Sequence, residues 1–126
     1  MVTRRWGFLI DIDFANQKIR KLFDLPTYNK LQKKIGFKLT KPIKLRILQI
    51  KAFSSFFSYF EAGLGKPERL SGVNDDKYSI VLTGNYRLIV KPVTEGYDKE
   101  SLLKCESIII EGVVDYHGDK YNWLIP

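Results

Sequence analysis

Apolar residues recur with two different periods along this 126-residue chain, and the change of period divides it. Trp6, Phe8, Ile10 and Ile12 alternate with Gly7, Leu9 and Asp11, which predicts a first strand over about residues 5–13. Asn16 then reads as the cap of a short helix with Ile19, Leu22 and Phe23 on one side, ended by Pro26. Thr27 is the expected cap of a second helix, Tyr28 to Ile35, closed by Gly36. Thr40-Lys41-Pro42 reads as the start of a third, a capping hydroxyl followed by proline in the first turn. From there Ile43, Ile47, Ile50, Phe53, Phe57 and Phe60 recur at spacings of three and four, which predicts one long amphipathic helix to about Ala62. Its expected core side carries Phe53, Phe57 and Phe60, while Phe56 and Tyr59 lie towards another side, open to a partner. Residues 66–72 read as a connection or a short edge strand, and Asn74-Asp75-Asp76 as a turn.

The period then changes to two. Tyr78 to Thr83 and Tyr86 to Val90 are β-rich runs that meet at Gly84-Asn85, a two-residue hairpin signal. Simple indexing sets Leu82 opposite Arg87, Ile80 opposite Ile89 and Tyr78 opposite Lys91, so Arg87 is expected beside Leu82 and Ile89. Val81, Tyr86, Leu88 and Val90 fall on the other face. Pro92 stops the second strand, because it lacks a ladder donor. A third run, Ser107 to His117, places Ile109, Val113, Asp115 and His117 on one face and Ile108, Ile110, Val114 and Tyr116 on the other. The charged segment 94–106 fits either a longer hairpin loop or a short helix. Gly118-Asp119 turns the chain into an apolar tail of Tyr121, Trp123, Leu124 and Ile125, which packs back or meets another chain. The length suits one domain with a modest core.

Composition narrows the function class. No apolar run reaches the roughly 20 residues of a membrane span, and Asp11 and Asp13 interrupt the N-terminal apolar run too early for a signal-peptide core. The lone Cys105 excludes an internal disulfide, and no spacing suggests a metal or a cofactor. A cytoplasmic protein fits these features. Residues 1–51 hold 13 Lys/Arg against three acids, whereas residues 52–126 hold 8 against 11. A basic half beside a slightly acidic one suggests a surface for a polyanion, nucleic acid above all. A merely solvated helical face competes with that reading. Lys41, Lys44 and Arg46 on the third helix, with Arg69 and Lys77 before the hairpin, are the candidate RNA contacts.

No nucleotide-binding loop and no nucleophile elbow is present. What remains is Arg87, Asp115, Tyr116 and His117, on or at the end of neighbouring strands, His117 being the only histidine. Cleavage of RNA requires a base for the 2′-hydroxyl, an acid for the leaving 5′-oxygen, and cations for the charge gathering on phosphorus. Imidazole suits the proton transfers, guanidinium the phosphate, and an aromatic ring the stacking of a base. From residue types alone this is a weak signal, since a strand-end His is more often an inert surface residue.

Leu70-Ser71-Gly72, Tyr78-Ser79-Ile80, Gly84-Asn85-Tyr86-Arg87-Leu88 and Val113-Val114-Asp115-Tyr116-His117 together resemble the RelE/HigB superfamily of toxins, nearest its HigB-like "plasmid maintenance killer" branch. The matched part covers about residues 70–117, with a longer insertion before the last strand. The resemblance implies a small α+β fold, with N-terminal helices packed on a curved antiparallel sheet, and a type II toxin that cleaves mRNA in the ribosomal A site. It implies an antitoxin partner, usually a helix-turn-helix repressor, and no cofactor. By position, Arg87 corresponds to the phosphate-stabilising arginine, and Asp115, Tyr116 and His117 to the C-terminal catalytic cluster, His117 transferring protons. Where many relatives have His and Lys near the leucine-lysine-glycine segment, this chain has Glu68 and Ser71, so one cation is missing, with Lys77 or Arg69 as replacements off the matched position. Two rivals remain: a non-catalytic RNA- or ribosome-binding relative, and an interaction protein whose basic half meets a protein partner. Strand pairing decides whether Arg87 and His117 share a face.

Overall fold

The computed structural model of the protein describes residues 10–118 and 120–125. The expected strand over 5–13 lies partly outside them; its described portion is β1, Asp11–Phe14. Asn16 caps α1 (Gln17–Phe23) as predicted, its side chain accepting from the Ile19 amide. The second helix, α2 (Asn29–Ile35), starts after Tyr28 rather than after a Thr27 cap. Tyr28 takes a left-handed φ of 62°, and the Thr27 hydroxyl donates back to the Asp24 carbonyl at 3.2 Å while accepting from the Asn29 amide at 3.4 Å.

The long helix is two helices. The first, α3 (Phe37–Lys51), begins before Thr40, whose hydroxyl donates back to the Gly36 carbonyl, so Thr40 and Pro42 are interior rather than capping positions. The chain then breaks, and Ser55 caps α4 (Phe56–Ala62) by accepting from the Ser58 amide. The break resets the helical phase. Phe56 and Tyr59, expected to face a partner, are fully buried, while Phe53, Phe57 and Phe60 are only partly buried against the core. The Tyr59 hydroxyl donates to the Leu64 carbonyl at 2.5 Å, and burial raises its pKa far above that of a free phenol.

A six-stranded sheet adds β2 (Glu68–Arg69), β3 (Tyr78–Thr83), β4 (Tyr86–Pro92), β5 (Ser107–His117) and β6 (Lys120–Ile125). The segment before β5 carries a short helix, α5 (Lys99–Leu103), capped by Asp98. The order is β1-β5-β4-β3-β2, with β6 also on β5. All pairings are antiparallel except β1 with β5, so the sheet is mixed rather than purely antiparallel. The apolar tail packs back on its own chain as β6.

Three extra residues set which side chain faces which way. Thr83 pairs with Tyr86 across the expected two-residue turn, but Val81 pairs with Arg87, leaving Leu82 as a bulge. In β5, Ile110 pairs with Val90 and Gly112 with Ile89, leaving Glu111 as a second. In β6, Leu124 is a third. Each bulge inverts the alternation beyond it. The helix-covered face therefore holds Tyr78, Ile80, Leu88, Val90, Ile110 and Val113, in one core with Ile43, Ile47, Ile50, Phe56 and Tyr59. Arg87 does not sit beside Leu82, and Val113 does not share a face with Ile109, as uninterrupted alternation had suggested.

Gly112 is where the outer edge of β5 changes partner. Residues 107–110 pair with β1 and residues 113–117 with β6. A Cβ on Gly112 would lie 1.8 Å from the Ile125 carbonyl oxygen and 2.9 Å from the Trp123 ring. Replacing Gly112 with Ala forces β6 off β5, and we expect a stability loss of more than about 2 kcal/mol by urea denaturation. A change within about 0.5 kcal/mol, typical of a neutral surface substitution, would contradict this packing.

Candidate active site

The β3–β4 turn and the end of β5 form one corner of the sheet. Gly84 takes the positive φ of 53° that the turn needs. The Tyr116 amide donates to the Asn85 carbonyl at 2.8 Å, which ties the end of β5 to the turn. His117 and Asp115 meet there. His117 Nε2 lies 2.9 Å from Asp115 Oδ1, and Nδ1 lies 3.2 Å from Asn85 Nδ2. The imidazole is well exposed and the carboxylate less so. Tyr86 pairs with Asp115 and shares its face.

Arg87 belongs to the opposite face. It pairs with Val114, its guanidinium carbon lies 5.9 Å from the Tyr116 ring centre, and Tyr116 stacks on Tyr121 at 4.8 Å. Burial raises the Tyr121 phenol, Tyr116 and Glu68 add to the effect, and Arg87 partly offsets it. Arg87 Nη1 donates to the carbonyls of Gly84 at 2.8 Å and Tyr86 at 3.1 Å. The four candidate catalytic residues thus gather at one corner but divide into two pairs: Asp115 and His117 on the helix-covered face, Arg87 and Tyr116 on the other.

The five candidate RNA contacts do not gather. Arg46 is a clamp, with Nε on the Val81 carbonyl at 2.8 Å and Nη1 on Gln49 Oε1 at 2.7 Å. Arg69 bonds the Asp75 carbonyl at 2.6 Å and lies 4.0 Å over the Tyr97 ring. Lys77 pairs with Asp76 at 3.1 Å. Both precede β3 and sit about 20 Å along it from the turn. Lys44 reaches over the Tyr28 ring, at 5.5 Å. Lys41 alone of the five stands by this corner, in a groove with Tyr86. Residue-type reasoning passed over Asn85 and Tyr86, which it treated only as turn and strand, and Lys38, which shares that groove. The signal for Asn85 was present, since a turn residue beside a strand-end His is within reach of it.

Other reactive groups are accounted for. Cys105 is buried, its thiol raised chiefly by that burial, and it contacts the Ser107 carbonyl. Among the described residues no group of three or more His, Cys, Asp or Glu could hold a metal ion, and no helix is long and apolar enough to cross a membrane. Comparison with protein-family models, curated proteins and solved structures finds no match to the chain.

Because Arg87 spends donors on the turn, Arg87→Ala should cost about 1–2 kcal/mol of stability. His117→Ala, at an exposed position, should stay within about 0.5 kcal/mol of the parent. Urea titrations of both variants check this; the reverse order would mean that His117 rather than Arg87 holds the corner.

Proposed function

We propose that the protein is an endoribonuclease that cleaves mRNA on the ribosome by attack of a 2′-hydroxyl, the toxin of a toxin–antitoxin pair with a RelE-like fold, acting in the cytoplasm. The Asp115–His117 pair, exposed beside the β3–β4 turn, is the observation that carries this reading. As the atoms are arranged, the Asn85 amide donates to Nδ1, so Nε2 carries the proton and donates to the Asp115 carboxylate. Asp115 then fixes the ring and its tautomer, as the orienting carboxylate does in other His-based catalysts. Displacing Asn85 frees the Nδ1 lone pair to take the proton of the 2′-hydroxyl. The resulting imidazolium returns a proton to the leaving 5′-oxygen.

Positive charge for the phosphate comes from lysines on this face. Lys120 pairs with His117 across the β5–β6 turn, and Lys38 and Lys41 lie in the groove beside Tyr86. Arg87, which the family resemblance assigns to the phosphate, acts on this reading through the turn it braces. The basic first half of the chain supplies salt-sensitive contacts to ribosomal RNA. A helix-turn-helix antitoxin is the expected partner.

A second reading has its own observation. On the face away from the helices, Arg87, the Tyr116–Tyr121 stack and the exposed Trp123 form an aromatic and cationic platform that could bind RNA without cutting it.

A purified translation reaction, mapped by primer extension with and without ribosomes, separates the two. Codon-phased cuts should appear only with ribosomes, and His117→Ala should slow them about 10²–10⁴-fold, the usual worth of a general acid–base residue. Intact message at protein concentrations that arrest growth would favour the binding reading.

A further inference from the structure

Between the start of α3 and the β3–β4 turn lies an open groove of about 650 Å³. It is lined by Ile35, Phe37, Leu39, Tyr86, Thr83 and two lysines, Lys38 and Lys41, with no carboxylate in the lining. Three features bear on what it could hold. Phe37 is 57% exposed, an unusual position for a phenylalanine in a chain with a well-filled core. Among the described residues neither Lys38 nor Lys41 has an ion-pair partner, a state they share with most of the lysines, so both ammonium groups are open to an anion. Finally, Tyr86 joins the groove to the catalytic corner, since it lines the one and pairs with Asp115 in the other.

The other clefts are less specific. The cleft beside α5 is lined by Glu95, Asp98 and Glu100, which repel a polyanion. The cleft between α1 and α2 has four lysines around Ile19, Leu22 and Ile125 but offers no aromatic ring.

Aromatic rings with unpaired ammonium groups and no competing acid form a site for a group that is flat and apolar at one end and anionic at the other. A nucleotide has that chemistry: its base stacks on an aromatic face, and its phosphate takes donors from lysine. The volume is within the range of about 300–1,000 Å³ usual for small-molecule sites. We propose that this groove is the subsite for one nucleotide of single-stranded RNA next to the bond that is cut. The base lies against Phe37 and Tyr86, and Lys38 and Lys41 hold its phosphate. The assignment rests on reading the Asp115–His117 corner as an RNA-cleaving site, and it adds what holds the strand there.

The probe is a fluorescein-labelled mixed-sequence oligoribonucleotide, 2′-O-methylated throughout so that the wild-type protein cannot cut it. Binding is read by fluorescence anisotropy at several salt concentrations, alongside the ribosomal cleavage assay. Phe37→Ala and the double variant Lys38→Ala/Lys41→Ala should each raise Kd about tenfold or more. The double variant should also lower the salt slope by about 1.4, the single-strand value for two phosphate contacts. Both should raise the protein concentration needed for half-maximal cleavage. His117→Ala should leave Kd unchanged while slowing the cut about 10²–10⁴-fold. The replaced side chains are exposed, and thermal melting confirms that the variants are folded. Unchanged Kd and unchanged cleavage in both groove variants would overturn the subsite and leave the nuclease standing. Raised Kd in the groove variants of a protein that cuts no message would keep the groove as a nucleotide site but overturn the nuclease, and with it the groove's place beside a cut bond. No detectable binding of the probe by wild-type protein would overturn the subsite whatever the cleavage assay shows.

Discussion

The structure depends on how β5 is paired. This eleven-residue strand has β4 along one edge and divides the other between β1 and β6. A strand that long can stay in register with three partners only if its irregularities are placed where the partners change. Glu111 bulges out of the pairing with β4, and Gly112 lets the Ile125 carbonyl and the Trp123 ring approach where any Cβ would collide. From that junction onward the alternation is inverted. Val113 and Asp115 then turn to the helix-covered face, and Val114 and Tyr116 to the other. The position of Asp115 and His117 is thus a consequence of backbone geometry several residues earlier in the strand.

The same constraint explains why four residues that look like one cluster in the sequence form two pairs in space. Residues 115–117 are consecutive in a strand, so Tyr116 cannot point the same way as its neighbours. Arg87 could have joined either side, and the Leu82 bulge changes which β3 residue lies opposite it. The corner compensates through backbone contacts. Asn85 bonds both the His117 ring and, through its carbonyl, the Tyr116 amide, while Arg87 braces the turn from the other side. Substituting Arg87 therefore affects a turn shared by both faces, and loss of function in such a variant does not by itself place Arg87 on the substrate.

Much of this was legible in the sequence, and the failures share one physical cause. The Asn16 cap, the Gly84-Asn85 turn, the start of β4 and the extent of β5 all follow from local signals: a capping side chain, a residue permitting positive φ, a run of β-branched residues. The end of β4 did not, since the strand runs on through Pro92, which was expected to stop it. The faces of β3 and β5 did not follow, because one inserted residue leaves the apolar pattern almost intact while reversing its sense. Gly112 inside a strand was the available hint, as an isolated strand glycine often marks a bulge. The helix that was read through to Ala62 failed in the same way. Spacings of three and four continue across Ala52 to Ser55 by coincidence of phase, and only the Ser55 hydroxyl, poised to cap, indicated a new start. Arg46 could not be recognised as structural without the β3 carbonyl it reaches, which lies 35 positions away in the chain.

The chemical account makes the substrate's own 2′-hydroxyl the nucleophile, with the His117 imidazole moving its proton. The most direct measurement uses a message carrying a single 2′-deoxynucleotide at the mapped cleavage position, compared with its all-ribose counterpart in the same ribosomal reaction. The account predicts that the deoxy message stays intact at that position while the ribose message is cut to fragments ending in a 2′,3′-cyclic phosphate. Cutting of the deoxy message at the same position would contradict it, because the bond would then be broken by a nucleophile that the Asp115–His117 corner does not provide.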